Sequence, residues 1–325
     1  MLKLRNLVEH DELVLELLQS YNFTKLEYGF YRASSNVVYW VKGDGKLYFL
    51  RYTTKDERTS ESIQEELDYI RYLRTYQIKA NQPVRTISGT YLLEKEDYLA
   101  VLFEAVPGKA LEDVELNAEI IAEWGRQLGK IHKLSKGFIE RRQSTDFRRA
   151  DYKEKLAWIR SILDEKEIEL RKEADWLEES FNHLIQTNDN YGMCHYDFEL
   201  DNVYFDEPTN QFSIIDFDDC MYHFFSIDYE QVMMNIEEVL PVEIQSWVKE
   251  EFRKGYREEN KIPDEEELKL AYEFIVLLGY TKLTYSLTYV PEDKPDWMDE
   301  LIHKLDRAKS EKREWLMKQR YIKEK

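Results

Sequence analysis

Strand-forming text is concentrated in the first third of this chain, and that segregation limits what it can fold into. Between Tyr28 and Tyr52 the residues YGFYRASSNVVYWVKGDGKLYFLRY are rich in aromatic and β-branched side chains. Two turn signals punctuate them, Ser34, Ser35 and Asn36, then Gly43, Asp44 and Gly45. Three antiparallel strands are predicted, with positive φ at Asp44 and Gly45. Ser62 with Glu65 reads as a capping box that opens a helix whose Ile63, Leu67, Ile70 and Leu73 form one stripe. Further strand is expected over 89–93 and 98–104, until Pro107 and Gly108 break the pattern. A short helix from Asp11 starts the fold, and beyond Gly108 apolar spacing predicts helices over 117–134, 151–163, 165–184, 242–259, 271–289 and 299–318. Only residues 192–216 return to strand text, as a small hairpin set among helices.

Such a chain is α+β and bilobal, with a small lobe over residues 1–106 and a larger helical lobe over 107–325. Its 325 residues also exceed what one core usually organises. A net charge of −19 argues against binding nucleic acid or an anionic membrane by phosphate neutralisation. The opening MLKLRNLVEHDELV lacks the apolar run of a secretory signal, and 271–290 carries Glu273 and Lys282, so a cytoplasmic protein without a membrane span is expected. Two cysteines, Cys194 and Cys220, are too few for a disulfide framework.

The chemistry concentrates in two acidic turns. HYDFELDN brings His195, Asp197 and Asn202 together, and SIIDFDD ends an apolar run at Asp216. Carboxylates and an amide at turns beside short strands suit a hard divalent cation, magnesium above all. Their spacing matches a loop in which an Asp accepts the proton of an attacking hydroxyl and an Asn five residues later holds metal. The plainer reading, surface turn residues, fits any one of them but not all in this order. A tetrahedral zinc site from Cys194, His195, Cys220 and His223 is the weaker alternative.

These motifs resemble the aminoglycoside phosphotransferase, choline kinase and type II homoserine kinase group, small-molecule kinases of the protein-kinase-like fold. WGRQLGKIHKLS and FRKGYREENKIPDEEELKLAYEFIVLLGY are similar to helices of the same group. The resemblance implies transfer of the γ-phosphoryl group of ATP, or GTP, to a small-molecule hydroxyl, with Asp197 as base and Asn202 and Asp216 as Mg2+ ligands. It implies Arg51 against the nucleotide phosphates, where kinases more often use Lys, and a hinge at FEAVPG with the Glu104 carbonyl and Val106 amide on the adenine. The resemblance also implies that the turn with Ser35 and Asn36 meets phosphates in place of a glycine-rich loop, and an ordinary hairpin turn is the alternative reading.

Glu66 lies on the apolar stripe of its helix, about 100° round from Glu65. A carboxylate facing inward needs a partner, and Arg51 is the natural one. Glu199, Asp201, Asp218 and Asp219 crowd the catalytic turns beyond what the chemistry requires, so an acceptor carrying an amine is expected. Two other functions remain open: a degenerate relative that binds a nucleotide or a partner without turnover, and a stress-type protein kinase. The acceptor's identity, ATP against GTP and the oligomeric state stay open as well.

Overall fold

The computed structural model describes residues 11–141, 149–291, 294 and 297–323. Strands β1 (Leu26–Ala33), β2 (Val37–Gly43) and β3 (Lys46–Thr54) form the expected meander, with φ of 51° at Asp44 and 84° at Gly45 in its second turn. With β4 (Leu93–Lys95) and β5 (Tyr98–Glu104) they make an antiparallel sheet in the order β1-β2-β3-β5-β4. The pleat sorts β5 by alternation: Leu99, Val101 and Phe103 join one core cluster, Ala100 and Leu102 another. The first face packs on Ile63, Leu67, Ile70 and Leu73 of α2 (Ser60–Thr75), the second on Val14, Leu17 and Leu18 of α1 (Asp11–Leu18).

Two local readings are corrected. Thr59 caps α2, its hydroxyl accepting the Ser62 N–H at 3.2 Å, so the Ser62 and Glu65 capping box does not form. Glu65 is buried instead and accepts the Tyr222 hydroxyl at 2.7 Å and the Arg149 N–H, tertiary donors that outcompete a local cap. Residues 89–92 precede β4 rather than forming a strand, because the Thr86 N–H closes a turn onto the Thr90 carbonyl around Gly89.

At the passage to the helical lobe Gly108 has φ of 89°, and a Cβ there would meet the Phe205 carbonyl oxygen at 2.2 Å. Only glycine fits that contact. The chain then forms β6 (Lys109–Ala110), which pairs with β8 (Val203–Asp206), itself paired with β9 (Gln211–Ile214). The expected hairpin over 192–216 is therefore divided: β7 (Tyr191–Cys194) pairs with β10 (Met221–Phe224), a partner beyond the segment.

The helices are α3 (Ala118–Arg141), α4 (Tyr152–Ile162), α5 (Ile168–His183), α6 (Ser226–Val239), α7 (Val242–Glu259), α8 (Glu265–Thr288) and α9 (Trp297–Lys323). Helix α6 was not legible, because its buried positions include Ser226, Asp228 and Asn235. No described helix is long and apolar enough to cross a membrane; α8 is a buried helix with Phe274 to Leu278 all inside. One cluster runs from α2 through β5 to Ile121, Trp124 and Leu128 of α3, Phe212 and Ile214 of β9 and Val232 of α6. The two acidic turns are thus mounted on a core shared by both lobes.

Candidate active site

The loop between β7 and β8 is held by one carboxylate that sequence reasoning did not single out. Asp228, fully buried in the first turn of α6, accepts the His195 N–H at 2.7 Å, the Tyr196 N–H at 2.7 Å and His132 Nε2 at 3.0 Å. Burial pushes its pKa up, but the His132 hydrogen bond and charge and the His195 N–H more than offset this and hold it below the usual range. Its only sequence signal is a lone acid in the apolar run YHFFSIDY. This anchor lets Tyr196 adopt φ of 58° immediately before Asp197.

His195 links the two turns: its Nε2 bonds the Ile215 carbonyl at 3.0 Å and its ring lies 4.4 Å from that of Phe217. Burial lowers its pKa to about 4, so it is a neutral brace. The zinc alternative fails on geometry. Cys194 Sγ points at the carbonyls of Gly192, His223 and Phe224, and His223 packs among the rings of Tyr152, Phe181 and Phe274. The structure does bring His132, Cys194 and Asp228 together, but His132 and Asp228 are bonded to each other.

Asp197, Asn202 and Asp216 lie on two turns that hydrogen bonds hold against each other. Asn202 Nδ2 donates to the Asp197 carbonyl at 3.0 Å and to Asp197 Oδ2 at 2.9 Å, which leaves Asn202 Oδ1 as the atom available to a cation. The Ile215 N–H bonds the Asn202 carbonyl at 3.0 Å, fixing the second turn against the first. Asp216 follows in the left-handed region with φ of 62°, and Arg32, from the end of β1, bonds its Oδ2 at 2.7 Å. Burial raises Asp197 well above the ordinary carboxylate range, with repulsion from Glu199 and Asp216 adding to it. Burial and then Asp218 push Asp216 up to about 6, with Arg32 and Arg51 opposing. The Asn202 amide oxygen and the Asp216 carboxylate are hard oxygen donors on adjoining turns and fit a hard divalent cation.

On the small-lobe side Arg51 bonds Glu66 at 2.8 Å and lies 5.2 Å from the Phe103 ring centre. The expected pair is present but not exclusive, for Arg149 also reaches Glu66 at 2.7 Å. Asn36 is buried in the β1–β2 turn, its Oδ1 unpartnered among the described residues, and Ser35 beside it is half-buried. Glu104 ends β5 with its N–H on the Gln82 carbonyl at 2.9 Å, and the Ala105 N–H bonds the Leu47 carbonyl at 3.0 Å just before Val106.

The surplus acids are not all available to an acceptor. Asp218 is held by Arg58 at 2.8 Å and approached by Arg51 at 3.8 Å; Asp219 is held by Arg58 at 3.0 Å and Lys282 at 2.6 Å. Burial opposes their ionisation, but these cations hold both carboxylates below the usual range. They tie the lobes together instead of facing outward. Among the described residues Glu199 accepts amide donors, Gln231 at 3.1 Å and Asn235 at 3.0 Å, and burial pushes it up to about 7. A separate cavity of about 1270 Å³, lined by Lys79, Asp113, Glu123, Arg126 and Phe205, includes none of the candidate catalytic residues.

The model of the phosphotransferase enzyme family matches residues 31–270 of this chain. An amicoumacin kinase of Bacillus subtilis (strain 168) is 28% identical over 266 residues, 78% of each chain. A solved amicoumacin kinase in complex with AMP-PNP, Ca2+ and Ami superposes with a TM-score of 0.76 at 22% identity, covering 94% of this chain and 95% of that one. The microcompartment-associated aminopropanol kinase gives a TM-score of 0.67 at 19% identity, over 93% and 95%. The fold is thus protein-kinase-like, with the acidic turns described above inside the matched segment, and the chain belongs to the phosphotransferase enzyme family, as a kinase that acts on small molecules.

Proposed function

We propose that this enzyme transfers the γ-phosphoryl group of ATP, or GTP, to a hydroxyl of an amine-bearing small molecule in the cytoplasm, with residues 1–106 as the nucleotide lobe and 107–325 as the catalytic lobe. The observation that carries this reading is the hydrogen bond from Asn202 Nδ2 to Asp197 Oδ2, 2.9 Å, which orients the carboxylate and frees the amide oxygen. The acceptor oxygen attacks the γ-phosphorus while its proton passes to Asp197. The bond from phosphorus to the bridging oxygen breaks, and its electron pair leaves with the nucleoside diphosphate.

Asn202 and Asp216 would hold Mg2+, which neutralises phosphate charge when bound. Arg51, fixed by Glu66, adds positive charge to the phosphates. The turn at Ser35 and Asn36 meets them with backbone amides, and the Glu104 carbonyl and Val106 amide take the adenine. Support for the amine comes from Glu199, whose polar partners are uncharged amides. An ammonium group there would gain a charge-assisted hydrogen bond.

The test supplies labelled ATP and Mg2+ with amino alcohols, amino acids, aminoglycosides and neutral sugars. Label is expected in an amine-bearing hydroxyl compound, and Glu199→Gln should raise its KM about tenfold with the difference shrinking as salt rises. Label in neutral sugars alone would overturn the amine, and label in protein alone would favour a protein kinase.

A further inference from the structure

Phosphoryl transfer proceeds by neutralising charge spread over the oxygens of the moving group. On the nucleotide side Arg51 stands ready, but the catalytic loop HYDFELDN contains three carboxylates and neither lysine nor arginine. Its histidine is buried and spends Nε2 on the Ile215 carbonyl. A cation beside Asp197 has to come from another element.

Lys282, on α8, reaches the residue next to Asp197. Its Nζ lies 5.0 Å from the ring centre of Tyr196, the residue before Asp197, and 2.6 Å from Asp219 Oδ2. Its charge acts on Asp197 and Glu199 alike. Asp219 does not depend on it, because Arg58 bonds Asp219 at 3.0 Å and Asp218 at 2.8 Å. Lys155 of α4 adds its charge to the same cluster. Asp219 therefore has two cations at hydrogen-bond distance, so Arg58 alone can hold it when Lys282 turns away. Of the other guanidinium groups nearby, Arg51 lies on the nucleotide side, Arg149 is bonded to Glu66 and Arg32 to Asp216. A half-buried cation at this place, whose carboxylate partner keeps a second cation, suits an anion that arrives there only during the reaction.

We propose that Lys282 is a further catalytic residue, the acceptor-side cation that contacts the phosphoryl group in flight, released toward it from a carboxylate that Arg58 continues to hold. The inference rests on the phosphotransferase reading. Lys282 forms no covalent bond: oxygen-to-phosphorus bond formation, loss of the bridging bond and proton transfer to Asp197 balance without it.

The test measures binding of Mg2+ and ADP by calorimetry, with and without tetrafluoroaluminate, which mimics the transferring group. The parent should bind the fluoride complex more tightly than ADP alone. Lys282→Met should forfeit at least about tenfold of that gain while its affinity for ADP stays within twofold, and Lys282→Arg should keep most of it. An undiminished gain in Lys282→Met, or an equal loss in Lys282→Arg, overturns the proposal. If Lys282→Met does not fold, Lys282→Arg decides alone: retention supports the role and loss overturns it. A parent that gains nothing from fluoride contradicts the phosphotransferase reading itself and removes the basis for Lys282, whereas a gain in the parent that Lys282→Met retains contradicts only Lys282.

Discussion

Glu66→Ala should be the most disruptive single change in the small lobe, and the reason is the number of charges it strands. Glu66 is fully buried and bonds two guanidinium groups, Arg51 at 2.8 Å and Arg149 at 2.7 Å. At an effective dielectric constant near 20, each contact carries a gross attraction of about 6 kcal/mol. Most of this offsets the cost of taking the charges out of water. Breaking such a buried arrangement from one side costs about 3–5 kcal/mol. Arg51→Ala should cost less, about 2 kcal/mol, because Glu66 keeps Arg149. The double variant Arg51→Ala/Glu66→Ala should then fall short of the sum by roughly 1–3 kcal/mol. Urea unfolding of the four proteins in this cycle gives the stability terms, and titration with ATP and Mg2+ gives affinities expected to show the same shortfall. Equal losses for the two single variants, adding to within about 0.5 kcal/mol, would refute the reasoning.

Two further outcomes follow from the same geometry. Asp216→Ala should remove most of the magnesium dependence of ATP binding, and an unchanged dependence in the titration would exclude Asp216 as a ligand. Burial holds the pKa of His195 at about 4 and of His223 at about 3, against 6.5 for the free side chain. The folded state refuses protons that the unfolded chain takes up, so stability present above pH 6.5 is lost as pH falls toward 4. Each histidine should cost about 2 kcal/mol at pH 5, and His223→Leu should show a correspondingly shallower loss between pH 7 and pH 5 in urea unfolding. Equal losses for parent and variant would contradict it.

The meander was readable because its signals are local. Alternating apolar text and the Asp44-Gly45 turn need no distant partner, and neither does the stripe of α2. The two acidic turns were legible for a similar reason, since order and spacing carry them. What escaped depends on partners distant in sequence. Asp228 looks like any acid until His195, Tyr196 and His132 are placed around it. Arg58 and Lys282 turn Asp218 and Asp219 from apparent acceptor ligands into ties between the lobes. Strand β10 was missed because its partner β7 lies beyond the intervening β8–β9 hairpin. Glu65 misled for the opposite reason: a good local cap was predicted where tertiary donors win.

Asp197 carries the proposed chemistry most directly. Asp197→Asn keeps the shape of the side chain but cannot accept the acceptor's proton, so transfer of labelled phosphate from ATP to the acceptor should fall by about 10²-fold to 10⁴-fold. Binding of ATP with Mg2+ should stay near the parent value. Measured side by side with the parent, transfer that continues undiminished in Asp197→Asn would contradict the assignment of Asp197 as the base.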